Sequence, residues 1–156
     1  MYFINIKGLK QDIIEKKLTE SDRFTYIIIY LLLDTFAIEI TPYFPNNEIP
    51  TIFDYAYTFT AIISIFLGAY FIFQANGGEK GEDFAGKFFS LTWVRSIQFL
   101  LIFIPFYFLF IALNEFVLHL SNLNYKIVDF FIYSGFLFAI YLYAYRDVLE
   151  IREQEL

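Results

Sequence analysis

Residues Phe24–Ile40 read FTYIIIYLLLDTFAIEI, and the architecture turns on whether this run crosses a membrane. It is 17 residues long by its numbering and carries Asp34 and Glu39. About 20 residues at ~1.5 Å each are needed to cross a hydrocarbon core. Three later runs meet that length without argument: Phe53–Gln74, Val94–Leu118 and Ile127–Tyr145.

The distribution of basic residues decides the matter, because Lys and Arg accumulate on the cytoplasmic side of a membrane. With four spans, one side holds Lys7, Lys10, Lys16, Lys17, Arg23, Lys80, Lys87, Arg95, Arg146 and Arg152, and the other holds only Lys126. If Phe24–Ile40 stayed on one side, the same residues would divide six to five and show no bias. The sequence therefore predicts an all-α integral membrane four-helix bundle with both ends cytoplasmic, in a cell (inner) membrane. Composition agrees: 58% of the 156 residues are hydrophobic and 23% aromatic, more than a small soluble domain can hide.

Local signals frame the spans. Thr19-Glu-Ser-Asp22 and Thr51-Ile-Phe-Asp54 have capping-box spacing ahead of the first two runs. Pro42, Pro45, Asn46, Asn47 and Pro50 form the first outer loop, and Asn76-Gly77-Gly78 opens the inner one. Tyr43, Tyr55, Tyr57, Trp93, Tyr125, Tyr143 and Tyr145 gather near the ends of the spans. In residues 1–23, Leu9, Ile13, Ile14 and Leu18 make an apolar stripe among charges, which predicts a short amphipathic helix on the inner membrane surface. Phe84–Trp93 reads as an interfacial helix or an inward extension of the third span. The transmembrane domain is 24–145 and residues 146–156 are a cytoplasmic tail. No cleavable leader or lipid anchor is expected, and the Phe, Ile, Tyr, Asn and Lys content hints at a bacterial source.

Candidate functional residues are few. The chain has no Cys and one His, so no catalytic residue, metal site or cofactor is expected. The net charge of −6 argues against a nucleic-acid partner. Asp34 falls near mid-membrane, where an unpaired Asp costs roughly 2.5–3.5 kcal/mol, so it is either an interhelical contact or a proton or cation site. Glu39, Asp54, Glu115 and Asp129, with Glu48, fall near the outer ends and could form an acidic rim; His119 and Asn114 share that end of the third span. Arg95 and Arg146 should snorkel to lipid headgroups, or Arg95 could pair with Glu82 or Asp83. Thr60, Ser64 and Gly68 on the second span, and Gly135 and Ala139 on the fourth, mark packing faces. Pro105 should kink the third span.

The inner loop, with Gly77, Gly78 and Gly81, reads NGGEKGEDFAGKFF. Gly81 to Lys87 matches the first part of a phosphate-binding loop, but Phe88 replaces the Ser or Thr that would bind magnesium, and Glu82 and Asp83 would repel phosphate. A flexible acidic turn or a docking loop is the better reading. The sequence thus points to a non-enzymatic membrane subunit or anchor, partnered by the bilayer and by copies of itself or a membrane or cytoplasmic protein. The alternative is a homo-oligomeric cation or proton pore or small transporter, of the kind a membrane-disrupting defence effector would be.

Overall fold

The computed structural model describes residues 1–40 and 51–155, with 34–40 described as backbone alone. Five helices follow one another: α1 (Ile6–Ile14), α2 (Glu20–Ile40), α3 (Ile52–Ala75), α4 (Phe84–Leu113) and α5 (Asn122–Glu155). A 3-10 turn at Gly78–Lys80 precedes α4, and a π turn at Asn114–Leu118 extends it. No strand occurs among the described residues.

The helix starts follow the capping chemistry the sequence carries. The Thr19 backbone N–H donates to Asp22 at 3.1 Å, and the Asp22 N–H returns a bond to the Thr19 hydroxyl at 3.2 Å. The Thr51 N–H donates to the Asp54 carboxylate at 2.6 Å. These contacts satisfy donors that a helix start leaves without partners. Phe84–Trp93 belongs to α4, so it is continuous with the apolar run that follows rather than a separate helix.

Three helices are long and apolar enough to cross a membrane: α3, α4 with its π turn, and α5. α4 with its π turn has 35 residues and α5 has 34, so each is about 50 Å long against a hydrocarbon core of roughly 30 Å. Each therefore overhangs by some 20 Å. The surplus lies together at one end, where α4 and α5 begin and end respectively, α3 ends and α2 starts. α1 packs across this end against α4 and α5.

The buried core occupies that same end. Leu9, Ile13 and Leu18 from the N-terminal segment meet Tyr26, Ile72, Ala75, Leu91, Trp93, Val94, Tyr141, Ala144, Val148 and Ile151. By contrast, Ile62, Phe66, Ile102, Phe108 and Phe131 along the apolar stretches of α3, α4 and α5 are all exposed, the pattern of helices long and apolar enough to cross a membrane. The molecule is a small packed head on long apolar helices.

The structure adds two contacts to the sequence reading. The apolar stripe of α1 packs on protein: Leu9 and Ile13 are buried, each contributing roughly 1.5–3 kcal/mol relative to exposure. Residues 146–155 form the last turns of α5, with Val148 and Ile151 fully buried in the head.

Along the helices, the main packing pairs are α3 with α5, α2 with α4, and α4 with α5, giving the order α2, α4, α5, α3. Gly68 lies directly under the Tyr141 ring, leaving no room for a Cβ, and this makes the α3–α5 approach close. The hydroxyl of Tyr30 on α2 faces that of Tyr141 at the same level. Gly135 behaves differently from its expected role: nothing lies within 4 Å of where its Cβ would stand. It is exposed on the same α5 face as Phe131 and Phe138, so it marks no contact within the chain.

Candidate functional site

The polar residues of this protein assemble at the two ends of the helices, and the head holds the larger cluster. Asp147 sits where α5 leaves the apolar zone and is 1% exposed. Its turn places it beside Ala144, Val148 and Ile151, on the face α5 turns to α1 and α4. A buried carboxylate needs partners, and three groups supply them. Arg95 on α4 binds it bidentately, Nε to Oδ2 at 2.6 Å and a terminal nitrogen to Oδ1 at 2.7 Å. Lys10 on α1 approaches Oδ1 at 3.3 Å and also pairs with Glu150 one turn along α5. Arg95 further donates to Gln98 at 2.9 Å and lies 5.2 Å above the Tyr143 ring. Gln98 in turn donates to the Ile4 carbonyl at 2.7 Å.

This network fastens the N-terminal segment to the overhanging helices. Burial works against the Lys10 charge, yet the hydrogen bond to Glu150 and the nearby Asp147 outweigh it and hold its pKa above the usual lysine value. The Lys10 hydrogen bond draws the Glu150 carboxyl down. Further ties come from Tyr2. Its N–H donates to the Tyr26 hydroxyl at 2.6 Å and its own hydroxyl donates to Asp12 at 2.6 Å.

The loop between α3 and α4 closes the other side of the head. Lys87 is 2% exposed and its Nζ reaches Asn76 Oδ1 at 3.0 Å and Glu155 Oε2 at 2.8 Å. Asn76 also donates to the Glu82 carbonyl at 3.0 Å, so α3, α4 and α5 are pinned through one ammonium. Arg152 donates to the Ala75 carbonyl at 3.2 Å, satisfying an acceptor at the end of α3. Gly77 has φ +104° and Gly78 φ +59°, a left-handed path that glycine follows without strain.

Arg95 pairs with neither Glu82 nor Asp83, and it does not snorkel: it turns inward to Asp147. Asp83 instead pairs with Arg23 at 2.9 Å, and burial raises its carboxyl pKa against the opposing pull of that guanidinium. The Gly81–Lys87 stretch is not shaped as a phosphate cradle. The Asp83 carboxylate occupies the start of α4 beside Gly86, and the Lys87 charge is answered by Glu155. Arg146 remains exposed, 5.7 Å from the Tyr143 ring.

At the far end, Asp129 is the focus. The Tyr57 hydroxyl of α3 donates to its carboxylate, and the Tyr107 hydroxyl of α4 faces both Asp129 and Tyr125. Aromatic contacts of Tyr57 with Phe130 and Tyr133 pack around it. One carboxylate thus ties three helices together. The other acids do not join it. Asp54 caps α3 and is exposed; Glu115 is exposed in the π turn. His119 ends that turn at φ +45°, exposed, its N–H bonded to the Asn114 carbonyl at 2.9 Å. Asp34 and Glu39 lie on α2 with side chains outside the described residues, and Glu48, Tyr43 and the prolines of the outer loop lie outside them altogether. Thr60, Ser64 and Ala139 are part-buried. No group of three His, Cys, Asp or Glu side chains capable of holding a metal occurs among the described residues.

The sequence reading missed Asp147, Lys10, Glu150 and Lys87. One signal was present: Ile140, Ala144, Val148 and Ile151 continue a helical stripe past Tyr145, and Asp147 interrupts it. The chain matches no known family model, no curated protein and no solved structure.

Proposed function

We propose that this protein is a non-enzymatic membrane subunit or anchor that crosses the cell (inner) membrane four times, keeps both ends cytoplasmic, and assembles with copies of itself or a partner through its head. The observation that carries this reading is the location of the packed core, which gathers in the charged overhang and the helix turns adjoining it, while most of the apolar stretches of α3, α4 and α5 stay exposed. Lipid contact needs no internal core; a surface built to hold shape in water does.

Four crossings are supported by chain direction. α2 starts in the head, at Tyr26, and α3 returns to it, at Ile72 and Ala75. From Phe24, past its charged first turn, to Ile40 α2 runs 17 residues, about 26 Å against a core of roughly 30 Å. The ten-to-one split of basic residues puts the head on the cytoplasmic side. A reporter fused after Leu156 should be active only in the cytoplasm, and a tag at Asn47 should react with impermeant reagents on intact cells. A protected tag at Asn47 overturns the four crossings.

A second reading, a homo-oligomeric cation or proton pore, is favoured by one observation. Leu31 on α2 is exposed, and position 34 follows it by one helical turn, so a second copy covering the Leu31 side would lie along the Asp34 register. Purified protein in liposomes should then pass cations, with Asp34→Asn changing the flux; no flux from the wild type removes this reading.

A further inference from the structure

Two openings flank the seam where α3 packs on α5. The first is an apolar groove of about 470 Å³ lined by Ile63, Ser64, Leu67, Phe71, Phe138 and Tyr145, with Gly68 and Tyr141 at its floor. It lies within the apolar stretch of both helices and opens to the side. The second is a polar cleft of about 530 Å³ in the head, lined among others by Gly77, Lys80 and Arg152. Gly77 follows Phe71 by six residues and Arg152 follows Tyr145 by seven. At ~1.5 Å per residue the cleft therefore begins about 10 Å beyond the groove along the same seam.

The charges of the cleft are unequal. Its acids are already answered: Glu82 pairs with Lys16 at 3.2 Å and Glu155 with Lys87 at 2.8 Å. Lys80 and Arg152 have no carboxylate within ion-pairing distance among the described residues. Two uncompensated cations at headgroup depth, in line with an apolar groove at chain depth, complement a molecule with one anionic end and one hydrocarbon end.

We infer that the α3–α5 seam holds an anionic phospholipid, its acyl chain in the groove and its phosphate over Lys80 and Arg152. This rests on the reading that α3 and α5 cross the membrane with the head at the inner headgroups. The Lys80 ammonium is exposed and free to reach a phosphate. Arg152 spends one nitrogen on the Ala75 carbonyl, and its guanidinium retains further donors.

The test uses the full chain in neutral detergent, given phosphatidylglycerol or phosphatidylcholine with identical acyl chains, and native mass spectrometry to count retained lipid. One phosphatidylglycerol should be retained at roughly a tenth of the phosphatidylcholine concentration or less, since each cation near an anionic lipid contributes about fivefold. Lys80→Gln, at an exposed side chain outside every ion pair of the head, should weaken phosphatidylglycerol about fivefold and leave phosphatidylcholine unchanged. Leu67→Trp, which fills the groove, should weaken both lipids alike. Equal retention of the two lipids, or a Lys80→Gln protein that keeps its preference, overturns the proposal. Retention in detergent does not depend on which way the head faces, so a failed lipid test and a failed topology test are separate results.

Discussion

Arg95 and Asp147, 52 positions apart, form a bidentate ion pair at 2.6 and 2.7 Å that joins the start of α4 to the end of α5. Both lie past the apolar stretches, and Asp147 is almost wholly buried. The pair therefore holds α4 and α5 together beyond their apolar stretches.

Removing one partner of a buried pair leaves an uncompensated charge, at a cost of about 3–5 kcal/mol. Asp147→Leu should fall in that range, because it strands Arg95 and Lys10 together. Arg95→Met should cost less, since Lys10 still faces Asp147 at 3.3 Å. The double variant should be more stable than Asp147→Leu alone. Denaturant unfolding in detergent, followed by Trp93 fluorescence inside the head core, measures the series. Strictly additive losses would show that the two residues are not coupled.

The attachment of α1 should depend on pH. The Lys10 hydrogen bond lowers the Glu150 carboxyl below its ordinary value of 4.5. A carboxyl lowered on folding contributes stability above its unfolded pKa and loses it as pH falls through the folded one. The Lys10–Glu150 contact should thus be whole at neutral pH and weaken below about pH 4.5. Asp83, raised by burial, acts with the opposite sign. Protection factors of α1 amides, each referred to the intrinsic exchange rate at the same pH, should therefore fall on acidification in the wild type, and Glu150→Gln should flatten that response. An unchanged response in Glu150→Gln would assign the effect elsewhere.

The two glycines singled out by spacing should respond oppositely. A Cβ on Gly68 would enter the Tyr141 ring, so Gly68→Ala forces α3 and α5 apart and should cost about 1–3 kcal/mol, as overpacking does. Gly135 has open space around it, so Gly135→Ala should be neutral or stabilise by roughly 0.5–1 kcal/mol through helix propensity. Thermal midpoints of the two variants in one detergent decide it. A destabilising Gly135→Ala that also lowers the mass of the native complex would place that face against a second copy.

These cases mark what was legible in the sequence. Helix ends with Thr19–Asp22 and Thr51–Asp54 were readable because capping is local, and the long spans because lipid demands continuous apolar runs. The head was not. Its stripe on α1 looks the same whether it rests on lipid or on Val148 and Ile151, since both are apolar surfaces. Gly68 and Gly135 look alike for a related reason: a small residue permits close approach, but which neighbour approaches is set by the other helices. Asp129 was read as part of a rim because its depth was visible and the two tyrosines that reach it, Tyr57 and Tyr107, were not.

The Lys87–Glu155 pair predicts an asymmetry. The Lys87 side chain is 3% exposed and that of Glu155 26%, so the two ends of the pair lie in different surroundings. Glu155→Ala leaves an ammonium inside the head with only Asn76 to answer it, and should cost about 2–3 kcal/mol. Lys87→Met removes the charge and keeps the apolar stem, while Glu155 can turn to water; the cost should be about 1 kcal/mol or less. The double variant should then match Lys87→Met, because without the ammonium the carboxylate has nothing left to neutralise. Unfolding midpoints of the three proteins test this order. If Glu155→Ala proves as mild as Lys87→Met, water or another acceptor reaches Lys87, and the inner loop is more open than its contacts require.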